Sequence, residues 1–239
     1  NPELGFIRRT GINELYGTVG VHQQLSNQFI YEINPYLEVN QIEKPTSEIE
    51  TQTISAGLDF TFSDGARMMN KITKNREGVF YSFPLYGSQI DTGDYYFTNY
   101  TSYFISNKSR PISATVGLNG GGFYNGNRKS ITLKSLFRIG YRFSMELGGQ
   151  RNEISLSDSD FSVNTYSLKI KYNHSINLLN SLYLQYNEAE RKLITNVRIN
   201  IIHAPLSDLF LVYSEIRDVD NTNSKSGYIA LKLTKLFGI

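Results

Sequence analysis

The side chains able to do chemistry are few and widely spaced. The three histidines are His22, His174 and His203. Zinc sites use short ligand spacings that these positions do not offer. Each histidine falls near an expected short turn, where a turn or interface role is the ordinary one. "SLSDSDFS" places Asp158 and Asp160 in one expected loop. A calcium ion or a lipopolysaccharide-bridging cation needs several oxygens, so a solvated loop is the default. Glu188 and Glu190 beside Arg191 and Lys192 read as a charged loop tip. "GLNGGGFYNG" (117–126) is rich in glycine, but no helix follows it to complete a phosphate cradle. Close strand packing or a bend fits it better. No Ser/His/Asp set and no carboxylate pair can be placed on strands facing one point. No catalytic, cofactor-binding or metal-ligating residue is therefore expected, no cofactor is implied, and the chain is not read as an enzyme.

The elements that would carry these groups are strands. "QFIYEINPYLEVNQ" (28–41) sets Phe29, Tyr31, Ile33, Pro35, Leu37 and Val39 against Ile30, Glu32, Asn34, Tyr36, Glu38 and Asn40. The same period of two recurs in Leu15–Val21, Ile54–Phe62, Ile112–Leu118, Ile131–Ile139, Tyr166–Tyr172, Leu182–Tyr186, Leu193–Ile201 and Ile229–Leu233. No run has the i, i+3, i+4, i+7 stripe of an amphipathic helix. The links predict about thirteen strands. "RMMNKIT" (67–73) alternates least clearly.

Composition narrows the class. The chain has 239 residues, no Cys, no Trp, 17 Tyr and 14 Phe. The formal charge of +2 gives no nucleic-acid signal. No apolar run approaches the roughly 20 residues of a membrane-spanning helix. The first residue is Asn1 with no basic or apolar leader, so no targeting segment is expected and the start resembles the interior of a longer chain. Strands of nine or more residues, short turns alternating with longer polar links, and aromatic residues near strand ends together predict an all-β fold, an antiparallel transmembrane β-barrel. Residues 1–239 would form one such domain or the C-terminal portion of one. Its first and last strands would not simply pair, because bacterial single-chain barrels hold an even number of strands. The runner-up architecture is a soluble all-β sandwich or solenoid, which also alternates.

"NPELGFIRR", "IDTGDYYF", "LYLQYN" and above all "NVRINIIHAPLSDLFLVYSE" followed by "ALKLTKLF" carry a resemblance. They are similar to the C-terminal part of an uncharacterised family of Gram-negative outer-membrane proteins. Members of that family carry a carbohydrate-binding-module-family-9-like domain ahead of a large β-barrel region. This chain departs from the pattern at Ile201, where an aromatic is usual, and at Leu206, where the last short turn usually has Gly. The resemblance implies an outer-membrane location and supplies no established activity.

On the barrel reading, Glu32, Glu38 and Asp59 face the lumen from early strands. Lys134, Arg138, Lys169, Lys171, Arg198 and Lys232 face it from later ones. The expected function is passive or partner-assisted passage, or surface display, of polar or saccharide compounds. The expected partners are outer-membrane lipid, lipopolysaccharide and a polar solute, with no nucleic acid. An open porin-like lumen and a plugged one remain alternatives. So does a soluble all-β binding or scaffold module.

Overall fold

In the computed structural model, which describes residues 11–26, 28–221 and 224–236, the alternating runs are strands throughout. In chain order they are β1 (Asn13–Gly20), β2 (Gln23–Gln24), β3 (Ile30–Glu43), β4 (Ile49–Phe62), β5 (Arg67–Val79), β6 (Phe83–Leu85), β7 (Ser88–Ile90) and β8 (Gly93–Ile105). There follow β9 (Ile112–Phe123), β10 (Gly126–Ile139), β11 (Phe143–Ser155), β12 (Asp160–Asn173), β13 (Leu178–Asn187), β14 (Lys192–Ala204), β15 (Ser207–Asp218) and β16 (Lys225–Leu233). "NPELGFIRR" and the Phe that ends "ALKLTKLF" lie outside the described residues.

The sheet does not close. Hydrogen-bonded neighbours run β1-β3-β4-β5-β8-β9-β10-β11-β12-β13-β14-β15-β16, with β2 also on β3 and a separate β6-β7 hairpin. Among the described residues, β1 has β3 as its only ladder partner and β16 has only β15. The fold is an open all-β meander, and the transmembrane β-barrel expected from the sequence is corrected on that point. A sheet immersed in hydrocarbon must pair every N–H and C=O, because each orphan costs several kcal/mol and lipid offers no replacement partner. β1 and β16 leave such an edge open, and both are exposed along their whole length. The porin-like, membrane-spanning and passage readings fall with closure.

The links are also shorter than expected. Only Tyr124 and Asn125 separate β9 from β10, and "GQRNEISLSDSD" is largely the end of β11. "LYGSQIDTGD" is not a plain polar link either, since it folds into the β6-β7 hairpin. That hairpin supplies Ile90, which is 0% exposed. Leu206, where Gly was expected, does adopt the left-handed backbone of a tight turn, with φ of 56°.

Two compact units can be distinguished along the chain. The first comprises 1–104, 117–130 and 153–161, and the second 105–116, 131–152 and 162–239. In the first unit Ile90, Ile154 and Leu156 form a small apolar core, joined by Val79, Phe83, Leu85, Tyr95, Phe123, Tyr124 and Phe161. Elsewhere in this unit, burial runs opposite to hydrophobicity. On β4, Ser55 is 2% exposed while its neighbour Ile54 is 51% exposed. On β3, Tyr31, Leu37 and Val39 are exposed, whereas Glu32, Asn34, Glu38 and Asn40 are half-buried. Glycines let large side chains lie over this polar face. A Cβ at Gly57 would overlap the Tyr36 ring, which sits directly across the ladder. Gly121, at φ of 138°, would bring a Cβ within 2.8 Å of Asn99 Cα. A ring can swing aside; backbone cannot.

In the second unit, Leu168↔Leu184 and Ile170↔Leu182 pair on one face. Lys169↔Tyr183 and Lys171↔Ser181 pair on the other. The period-2 pleat of the sequence is thus the pleat of the sheet.

Candidate functional site

The half-buried polar face of the first unit is built from strand residues of one parity. Register places Ser55 opposite Thr73 and Thr53 opposite Asn75, and Ser55 Oγ lies 2.9 Å from Thr73 Oγ1. From there a chain of amides continues across β5, β8 and β9. Asn75 Nδ2 donates to Asn99 Oδ1 at 2.7 Å, and Asn99 Nδ2 donates to the Gly122 carbonyl at 3.0 Å. Asn119 Nδ2 donates to Thr101 Oγ1 at 2.7 Å. Arg128 on β10 closes the series, its Nη2 donating to Asn119 Oδ1 at 3.3 Å. Its guanidinium lies 5.0 Å from the centre of the Phe123 ring. Thr73, Asn75, Asn99, Thr101, Asn119, Phe123 and Arg128 line a cleft of about 280 Å³ together with Glu77, Phe97 and Tyr124.

The cleft is orientated by its own hydrogen bonds. Asn99 is only 8% exposed and both ends of its amide are engaged, so its donors and acceptors point in fixed directions. One buried group is left over. Arg128 Nε has no hydrogen-bond partner among the described residues.

A second cluster on the same unit contains the acidic residues singled out in the sequence. Glu38 accepts from Tyr16 Oη at 3.2 Å and lies 3.5 Å from Lys71 Nζ. Glu32 accepts from Thr61 Oγ1 at 3.3 Å and approaches His22 Nε2 at 3.8 Å. His22 Nδ1 is 2.6 Å from Asn34 Oδ1. Asp59 sits opposite Asn34, and burial holds its pKa above the ordinary value against the pull of Arg67 and Lys71. Its Oδ1 is buried without a partner among the described residues. Tyr36 is also raised, first by burial and then by Asp59 and Glu38. Glu38 and Glu32 are thus partnered by a lysine, hydroxyls and an imidazole. Among the described residues, no group of three or more His, Asp or Glu side chains is placed to hold a metal ion.

The basic candidates fall in the second unit. Lys134 is exposed on β10. The Arg138 guanidinium donates to the Lys108 carbonyl. Lys169 stands across from Tyr183 and Lys232 across from Phe210. Lys171 and Arg198 both flank Ser181, and Arg198 stacks over Phe210 at 4.5 Å.

The acidic and basic sets thus lie in separate units, and Glu38 finds its cation in Lys71 on a strand of its own unit. Lys71 went unnoticed in the sequence because "RMMNKIT" alternates poorly. The amide series was missed because neutral Asn and Thr at strand positions look like generic polar-face residues. The usable signal was their recurrence at one parity on consecutive strands.

Comparisons with protein-family models, with curated proteins and with solved structures give no match. The resemblance to an outer-membrane barrel family therefore finds no support from relatives. With an open sheet as well, the assignment to the Gram-negative outer membrane, with lipid and lipopolysaccharide as partners, is withdrawn. The class that the fold defines is an open, antiparallel all-β sheet with a half-buried polar face.

Proposed function

We propose that this chain is a non-catalytic all-β binding or scaffold module, and that the amide-lined cleft of the first unit takes a small ligand rich in hydrogen-bonding groups. The observation that carries this reading is the Asn75–Asn99 and Asn119–Arg128 series, which fixes several amides and a guanidinium along one cleft. Phe97, Phe123 and Tyr124 give the cleft apolar walls, the usual complement to a few fixed polar groups in a ligand site.

A non-catalytic role is supported by the partners of the titratable groups: Glu38 is engaged by Lys71 and the Tyr16 hydroxyl, Glu32 by the Thr61 hydroxyl, and Asp59 is shielded by burial. The test is protein-observed NMR of the side-chain amides, titrated with neutral amide and polyol fragments and set against aliphatic fragments of matched size. Polar fragments should shift the side-chain amide signals of Asn75, Asn99 and Asn119, and Asn119→Leu should abolish the effect. Binding of aliphatic fragments alone, or shifts confined to other residues, would remove the cleft from consideration.

A further inference from the structure

A second pocket, of opposite chemical character, lies in the second unit. Lys171, Ser181 and Arg198 stand in one row across β12, β13 and β14. Asn173, Leu179 and Asn200 form the adjoining row. Together they line a cavity of about 330 Å³. Adjacent strands are spaced by about 4.8 Å, so Lys171 and Arg198 straddle Ser181 at a distance that two long side chains can close over one ion.

No carboxylate lines this pocket among the described residues. Within the same residues neither cation is in a salt bridge. Arg198 is held by the Phe210 ring instead, which leaves the edge of its guanidinium free to donate. Two unpaired cations around a hydroxyl call for an anion, and the forked guanidinium suits an oxyanion. Asn173 and Asn200 add their amides to the lining.

We propose that this pocket binds a tetrahedral oxyanion of the phosphate or phosphomonoester class. The two cations and the Ser181 hydroxyl take its charged oxygens. The inference goes beyond the amide-lined cleft and does not rest on it.

Isothermal titration of the whole chain with sodium phosphate, against sodium chloride at equal ionic strength, tests the assignment. Phosphate should bind one site, and chloride should give no comparable heat. Lys171→Gln and Arg198→Gln should each weaken phosphate binding about tenfold. No saturable binding of phosphate overturns the proposal on the unsubstituted chain alone. Undiminished phosphate binding by the Lys171→Gln, Arg198→Gln double variant, folded by circular dichroism, overturns it as well.

Discussion

Asp59 carries a buried carboxylate oxygen without a donor among the described residues, and its burial raises its pKa above the ordinary value. The native chain therefore holds this proton more tightly than the unfolded chain does. Stability falls as pH rises from the usual Asp range through the raised native value, and it is higher below that window. Asp59→Asn keeps the shape and the acceptor toward Asn70 while removing the charge. The variant should be more stable than the parent near neutral pH, with the difference vanishing in acid below the ordinary Asp pKa. Urea unfolding at both ends of the window measures it. A parent that gains stability on going from acid to neutral through Asp59 would mean that Arg67 and Lys71 outweigh burial.

At the scale of elements, β16 is the clearest case. Asp208 and Thr234 exchange both backbone bonds, and the β15–β16 register continues from that pair without a bulge. In an antiparallel ladder, bonded and non-bonded pairs alternate. The N–H groups of Ser226, Tyr228, Ala230 and Lys232 therefore point at β15, and those of Gly227, Ile229, Leu231 and Leu233 point off the sheet. Hydrogen exchange should show slow amides at the first set and fast amides at the second. Protection of Ile229 and Leu231 equal to that of Tyr228 and Ala230 would mean that a further strand covers this edge. The β6-β7 hairpin shows how pairing can override local composition. A segment that looks like a polar link delivers Ile90 to the apolar cluster of its unit because its two ends pair with each other.

The molecule as a whole combines exposed edges with an exposed apolar face. Ile229, Leu231 and Leu233 are all about two-thirds or more exposed on β16, and a long apolar edge is a template for pairing with another chain. In detergent-free buffer the chain should associate with rising concentration. Ile229→Pro removes an N–H that makes no bond to β15, so it should lower association while leaving the melting temperature nearly unchanged. Sedimentation velocity across a concentration series reads this directly. Association unaffected by Ile229→Pro would place the contact elsewhere.

Alternation in the sequence sufficed to establish strands, parity and register class. Leu37 and Val39 share one face and Glu38 and Asn40 the other because successive side chains on any extended chain point to opposite sides. The candidate charges could likewise be assigned to one face, since Lys171 and Arg198 have the polar parity of β12 and β14. Closure was not legible. Whether β1 meets β16 depends on pairing between chain segments as distant as the fold allows, and neither strand carries a local mark of its partner. Strand length and aromatic ends are shared by open and closed sheets. The pockets depended on the same long-range information. Asn75, Asn99, Asn119 and Arg128 come from four strands, and only the strand order makes them neighbours. Lys171, Ser181 and Arg198 become a row because β13 lies between β12 and β14 in one particular register, and a shift of one residue would have turned Ser181 to the other face.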